Sequence, residues 1–178
     1  TLNGIVQSKN VRIAGDRLNS DIVSYIRSEF KILIGEKTAE NLKTSVGAIL
    51  PGEEPLEATV RGRDLVTGLP REVVITDADV REAIAPAVDS LVESIKEVIE
   101  TTPPEVLADV MQRGIFIVGG GAMLKGLPEL LNEMVKIPVY VIDDPLTSVV
   151  RGSGMILEDL TRYQEILLAD EDELSPKP

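Results

Sequence analysis

The chain has 178 residues, enough for one ordinary core or two small linked ones, and 43% of them are hydrophobic, which excludes a disordered polymer. Its 18 basic and 30 acidic residues leave a net charge of −12, which disfavours nonspecific binding to nucleic acid or anionic lipid. The lack of cysteine and histidine excludes disulfides, thiolate or imidazole metal sites, and Cys- or Ser-His catalysis. Any metal handled here is held by carboxylates, most simply Mg²⁺ carried in on a nucleotide.

No run approaches the ~18 uncharged apolar residues of a membrane span. A signal peptide is not expected, and the missing cysteines and histidines fit a reducing cytoplasm. Thr1 stands inside strand-like texture, so the sequence reads as part of a longer protein.

Residues 2–14 read as a β-hairpin, with Leu2, Ile5 and Val6 leading into polar Gln7-Ser8-Lys9-Asn10 and Val11-Arg12-Ile13 returning. Gly15-Asp16 closes that strand. A helix is predicted over 19–31, capped by Asn19 or Ser20, with Ile22, Ile26, Phe30 and Leu33 on one stripe. After Gly35 a second amphipathic helix follows over 36–46. Prolines and glycines then punctuate two strands, 56–61 and 71–76, expected to pair around a polar tip that contains Arg61, Arg63 and Asp64.

Thr76 and Asp79 have capping-box spacing and begin a long helix to about residue 100, which Pro86 should bend. Thr102-Pro103-Pro104-Glu105 starts another: Thr102 as cap, Pro103 first, Glu105 third. It ends at Gly114. Buried strands are predicted at 115–118 and 138–142, separated by a helix over 129–135. The last helix is expected over 146–168, interrupted at Gly152-Ser153-Gly154, before a frayed acidic tail over 170–178. The order describes an α/β chain. Its larger subdomain is expected from residues 1–35 and 96–178, with a smaller α+β insertion at 36–95.

The most informative stretch is the apolar run Ile115-Phe116-Ile117-Val118 followed by Gly119-Gly120-Gly121-Ala122-Met123 and a helix. Glycines between a strand and a helix let a flat or anionic ligand touch bare main chain. A GxGxxG dinucleotide turn would need glycine where Leu124 stands. A Walker A loop built on Gly121 and Gly126 would need Lys-Ser/Thr where Leu127-Pro128 stands. The same glycines would also serve a tight βα connection with no ligand.

On these residues the chain resembles the actin-like ATPase superfamily: apolar strand, Gly-Gly-Gly-Ala, then Gly126-Leu127-Pro128 into a helix. Further segments agree in order. They are Val11-Arg12-Ile13-Ala14-Gly15-Asp16; Ile34-Gly35-Glu36-Lys37-Thr38-Ala39-Glu40-Asn41-Leu42-Lys43; the hairpin from Ala58 to Leu65; and Asp144-Pro145-Leu146-Thr147 with Val150-Arg151-Gly152-Ser153-Gly154. The likeness is greatest to the second half of the MreB family, the bacterial rod-shape-determining actin homologues.

The resemblance implies a ribonuclease-H-like fold with an inserted subdomain, and a five-stranded mixed sheet in the intact protein. It implies ATP with Mg²⁺ bound in the complete protein, and a filament subunit that organises cell-wall synthesis. Such a subunit would associate with itself, with the wall-elongation machinery and, through the half not represented here, with the inner face of the membrane. No nucleic-acid partner is implied. The alternative is the nucleotide-binding domain of a chaperone or sugar-kinase relative in the same superfamily. The implied nucleotide contacts are Glu40, Asn41, Leu42, Lys43, Gly119, Gly120, Gly121, Ala122, Met123, Gly15 and Asp16.

Glu36, Glu40 and Lys43 share one helix face at i, i+4 and i+7, where ribose hydroxyls could meet Glu40 and Lys43 could flank the base. An ordinary charged face with a Glu40–Lys43 pair has the same spacing. Gly15 and Asp16 could touch ribose or a metal-bound water, or could simply end a strand and start a helix. Val118 stands where the family often has threonine, and Asn19 where it often has an acid. Both phosphate loops of the family pattern lie upstream of Thr1, so this chain alone is expected not to hydrolyse ATP, whereas the complete protein should do so weakly.

Overall fold

A computed structural model describes residues 5–163. The predicted hairpin at the start does not form: residues 5–13 hold no strand. Alternating Val11 and Ile13 specify a face, but a strand also needs a neighbour, and an isolated two-stranded hairpin is marginal in water. Instead, Gln7 donates to Thr101 Oγ1 at 3.2 Å and Lys9 pairs with Glu97. These contacts lay the segment beside the end of a long helix.

Helix α1 (Gly15–Glu29) begins four residues earlier than predicted. Neither Asn19 nor Ser20 caps it; Ala14 does, its carbonyl accepting from Arg17 and Leu18. Asp16 in the first turn complements the helix dipole. The stripe is Asn19, Ile22 and Ile26. Lys31 takes a left-handed φ of 56° that stops the helical register, so Leu33 falls on strand β1 (Ile32–Leu33) and faces solvent.

Helix α2 (Glu36–Ser45) leads to strands β2 (Glu57–Asp64) and β3 (Pro70–Thr76). The antiparallel order is β1-β2-β3, with Val60 opposite Val73 and Ala58 opposite Ile75. That face packs under α1, α2 and α3 (Asp77–Thr101), and Ile22, Ile26, Ile32, Leu42, Ile75, Val80 and Ile84 are fully buried. Each such side chain contributes roughly 1.5–3 kcal/mol relative to exposure. The capping box forms as predicted, Asp79 N–H donating to Thr76 Oγ1 at 3.2 Å and Thr76 N–H to Asp79 Oδ2 at 2.8 Å. The helix continues through Pro86, which faces solvent.

Arg61, Arg63 and Asp64 do not form the hairpin tip; they lie on β2, and the turn is Leu65 to Leu69. Asp64 builds that turn. Its carboxylate accepts from the N–H groups of Val66 and Thr67, both at 2.8 Å, and from Arg71 at 3.1 Å. The Thr67 N–H, then that of Val66, hold its pKa down from 3.8 to about 2. A depressed carboxyl contributes stability above its unfolded value and loses it as pH falls through the folded one. We therefore expect Asp64→Ala to melt lower than wild type at pH 7, with the gap closing between about pH 4 and pH 2. Thermal melts across that range check this; a gap independent of pH would contradict it.

Helix α4 (Pro104–Arg113) starts one residue later than predicted. Thr102 ends α3, its hydroxyl donating to Val98 O, so Pro103 is the N-cap and Pro104 the first helical residue. Strands β4 (Ile115–Ile117) and β5 (Val139–Val141) pair in parallel, separately from the first sheet. They are not the fully buried strands predicted. Ile117 and Val139 join the core beside α5 (Leu127–Val135), while Phe116 and Tyr140 stay 61% and 50% exposed with ring centroids 5.6 Å apart. A parallel sheet needs cover on both faces, and the described residues supply one. Helix α6 (Ser148–Glu158) runs through Gly152-Ser153-Gly154 without interruption, Ser153 donating to Val149 O. Glycine costs a helix only about 1 kcal/mol. Predictions for 2–4 and for 164–178 lie outside the described residues.

Candidate functional site

A cavity of about 760 Å³ opens between α1, α2, α3 and the segment after β4. Its first wall is α2. Ala39 and Leu42 anchor that helix in the core, which turns Glu40, Lys43 and Thr44 toward the opening. Lys43 Nζ donates to Glu40 Oε2 at 2.7 Å and lies 3.4 Å from Gly15 O. Asn19 Nδ2 donates to the same Glu40 oxygen at 2.8 Å. The Lys43 bond, then the Asn19 bond, lower the Glu40 pKa, so the carboxylate stays ionised.

The second wall is the glycine turn. Gly119 has φ 82°, and its N–H donates to Pro145 O at 2.7 Å, which brings Leu146 to the cavity. A 3₁₀ turn follows (Gly120–Met123), with Ala122 buried beneath it. A Cβ on Gly121 would meet nothing within 4 Å, and one on Gly120 would meet only Leu146, at 3.6 Å. These two glycines leave space at the cavity wall and are not required by packing. Gly126 is different: its φ is 84°, and a Cβ there would sit 2.8 Å from Leu50 N. The two walls are joined where Ile49 N–H donates to Lys125 O at 2.7 Å.

The structure therefore brings together Gly15, Glu40, Lys43, Gly120, Gly121 and Met123. Other predicted site residues stand apart. Leu42 is 1% exposed in the core, and Ala122 is buried behind the turn. Asn41 lies on the exposed side of α2, its carbonyl accepting from Thr44 and Ser45. Gly119 shapes the turn without lining the cavity, and Asp16 and Glu36 are exposed away from the lining. Adjacent residues on a helix diverge by about 100°, so a matching motif includes its own anchors.

Asn19, a cap candidate by residue type, instead reaches the site through Glu40. The signal was its place on the Ile22–Ile26 stripe, where a polar side chain must find a buried partner. It is 3% exposed, and its Oδ1 has no partner among the described residues.

The set suits a nucleoside: bare main chain and apolar side chains such as Val88, Met123 and Leu146 for a flat base, and a carboxylate and a lysine for polar edges. It does not suit a metal held by protein alone. Glu40 is the one carboxylate in the lining and is occupied by Lys43 and Asn19. No cluster of three potential ligands occurs among the described residues.

The solved structure of MreB5 from Spiroplasma citri bound to AMPPNP superposes with a TM-score of 0.84 and 32% identity, over 90% of this chain and 48% of that one. The MamK double helical filament superposes with a TM-score of 0.70 at 21% identity, covering 84% and 46%, a likeness of fold alone. These neighbours define the class as the actin-like α/β fold. The Mbl cell shape-determining protein of Bacillus subtilis is 41% identical over 162 residues, 91% of this chain and 49% of its own length. The MreB cell shape-determining protein of Escherichia coli is 41% identical over 171 residues, 96% and 49%. A sequence profile described as MreB/Mbl protein matches residues 1–165. The chain belongs to the MreB/Mbl family, which sets aside the chaperone and sugar-kinase alternative. It spans about half the length of the curated relatives it matches.

Proposed function

We propose that the chain forms the adenosine-binding side of an ATP-binding, actin-like filament subunit that determines cell shape by organising cell-wall synthesis. The observation that carries this reading is the convergence of Glu40, Lys43, Gly15 and the Gly120-Gly121 turn on one cavity. MreB5 of Spiroplasma citri has been solved with AMPPNP and with ADP, and the Bacillus and Escherichia relatives bear cell-shape names. Ribose hydroxyls donate to Glu40, Lys43 flanks the base, and the base lies against the glycine turn. Mg²⁺ bound with the phosphates would supply charge neutralisation there, with no carboxylate cluster of the described residues to hold it.

No lysine of this chain stands in a phosphate-loop context, so the chain alone does not hydrolyse ATP. The complete protein is a weak ATPase. It associates with itself into filaments in the cytoplasm, works with the wall-elongation machinery, and touches the inner face of the membrane through the length this chain does not span. No helix among the described residues is long and apolar enough to cross a membrane. Residues 1–35 and 96–178 belong to a larger subdomain and 36–95 to an insertion. The packing of α1 and the pairing of β1 with β2 draw those two elements toward the insertion.

Lys43→Ala tests the assignment. Loss of one charged hydrogen-bonding group should weaken ATP binding by about 1.5–3 kcal/mol. Calorimetry on the full-length protein that returns an unchanged affinity rejects the pocket.

A further inference from the structure

We infer that Asn19 is a positioning residue that gives the nucleotide site its selectivity for ribose, acting through Glu40; this rests on the nucleotide reading above. Three observations carry it. First, Glu40 Oε2 is held from two directions, by Asn19 Nδ2 at 2.8 Å and Lys43 Nζ at 2.7 Å. Two donors on one oxygen fix the carboxylate plane. They also leave Oε1 without a hydrogen bond to any described residue, on a side chain that lines the cavity. A fixed anionic acceptor with free lone pairs is suited to hydroxyl donors, and the sugar hydroxyls are the only hydroxyl donors on an adenine nucleotide with ionised phosphates.

Second, Asn19 is a poor choice for stability alone. It occupies a core stripe between α1 and α2 at 3% exposure, and its Oδ1 is left unpartnered. Reversing the amide would set that oxygen 2.8 Å from a carboxylate oxygen. The side chain is thus committed to donating, at the cost of a buried acceptor. An apolar residue would satisfy the stripe without that cost.

Third, the anchor comes from a different element than the group it holds. Lys43 is on the same helix as Glu40 and is itself placed to meet the base. If Lys43 turns toward a ligand, Asn19 on α1 alone keeps Glu40 in place. Binding then requires no rearrangement of the carboxylate, which is how a buried neighbour supports a binding group.

The test is a double-mutant cycle on the full-length protein with Asn19→Ala and Glu40→Gln, using ATP and 2′,3′-dideoxy-ATP as probes. Alanine suits the helix and removes only the amide. Asn19→Ala should weaken ATP about tenfold while dideoxy-ATP changes less than twofold, with the unfolding midpoint unchanged or raised. In the Glu40→Gln background the same substitution should alter neither affinity. Equal losses for the two nucleotides, or the full effect of Asn19→Ala persisting in the Glu40→Gln background, would assign Asn19 a purely structural role and overturn the inference. A wild-type protein that binds neither nucleotide would instead reject the nucleotide site, and this inference with it.

Discussion

Gly120→Val should weaken nucleotide binding about tenfold or more and leave the fold standing. The glycine lies in the 3₁₀ turn outside the left-handed region, and a Cβ there would contact only Leu146 Cδ2 at an ordinary 3.6 Å. Backbone strain and clash are therefore small. The two γ-methyl groups, however, project into the cavity where the base is to lie against main chain. A buried ring forced off its wall loses contact along a whole face, and overpacking a filled site costs typically about 1–3 kcal/mol or more. Gly126→Val serves as the opposite control, since positive φ and the approach of Leu50 make it a folding defect. Calorimetry with ATP and circular dichroism distinguish the two. A Gly120→Val protein that binds ATP as tightly as wild type, or that fails to fold, contradicts the assignment of the turn.

Leu42→Ala gives the reverse phenotype one residue away from Lys43. Leu42 is fully buried among α1, α2 and the first sheet, so its truncation should cost about 2–5 kcal/mol of stability. Its side chain does not line the cavity, so the folded fraction should bind ATP nearly as wild type does. Denaturant unfolding and calorimetry on the same preparation measure the two separately. Loss of affinity with full stability would show that Leu42 faces the ligand after all.

The contrast between Leu42 and Lys43 shows how far the sequence could be read. Elements whose signals are local were legible: the Thr76–Asp79 capping box, the amphipathic pattern of α2, and the glycine turn after an apolar strand. Each depends on neighbours within a few residues. What failed depended on partners elsewhere. The alternation at Val11 and Ile13 promised a strand that no other described strand pairs with. Ile115 to Val118 looked buried because a parallel strand is apolar on both faces, yet Phe116 lacks cover on one of them. Asn19 looked like a cap because asparagine prefers caps, whereas the helix began earlier and carried it into the interior.

The site followed the same rule. A helix face and a glycine turn far apart in the chain could each be picked out, but periodicity alone does not say that they meet. The join at Ile49 and Lys125, together with the reach of Leu146 from beyond β5, brings them to one cavity. A matched motif mixes members that line the cavity with members that anchor its walls, and the sequence does not separate the two. In α2 the apolar members of the motif hold the helix so that Glu40 and Lys43 can face the opening.

The most direct measurement is photocrosslinking of the full-length protein with radiolabelled 8-azido-ATP, followed by peptide mapping with and without excess ATP. Label that ATP competes away is expected on peptides spanning residues 40–47 or 118–127. Label that ATP does not displace, or label confined to the separate apolar pocket between α3 and α4 around Val98 and Leu107, would contradict it.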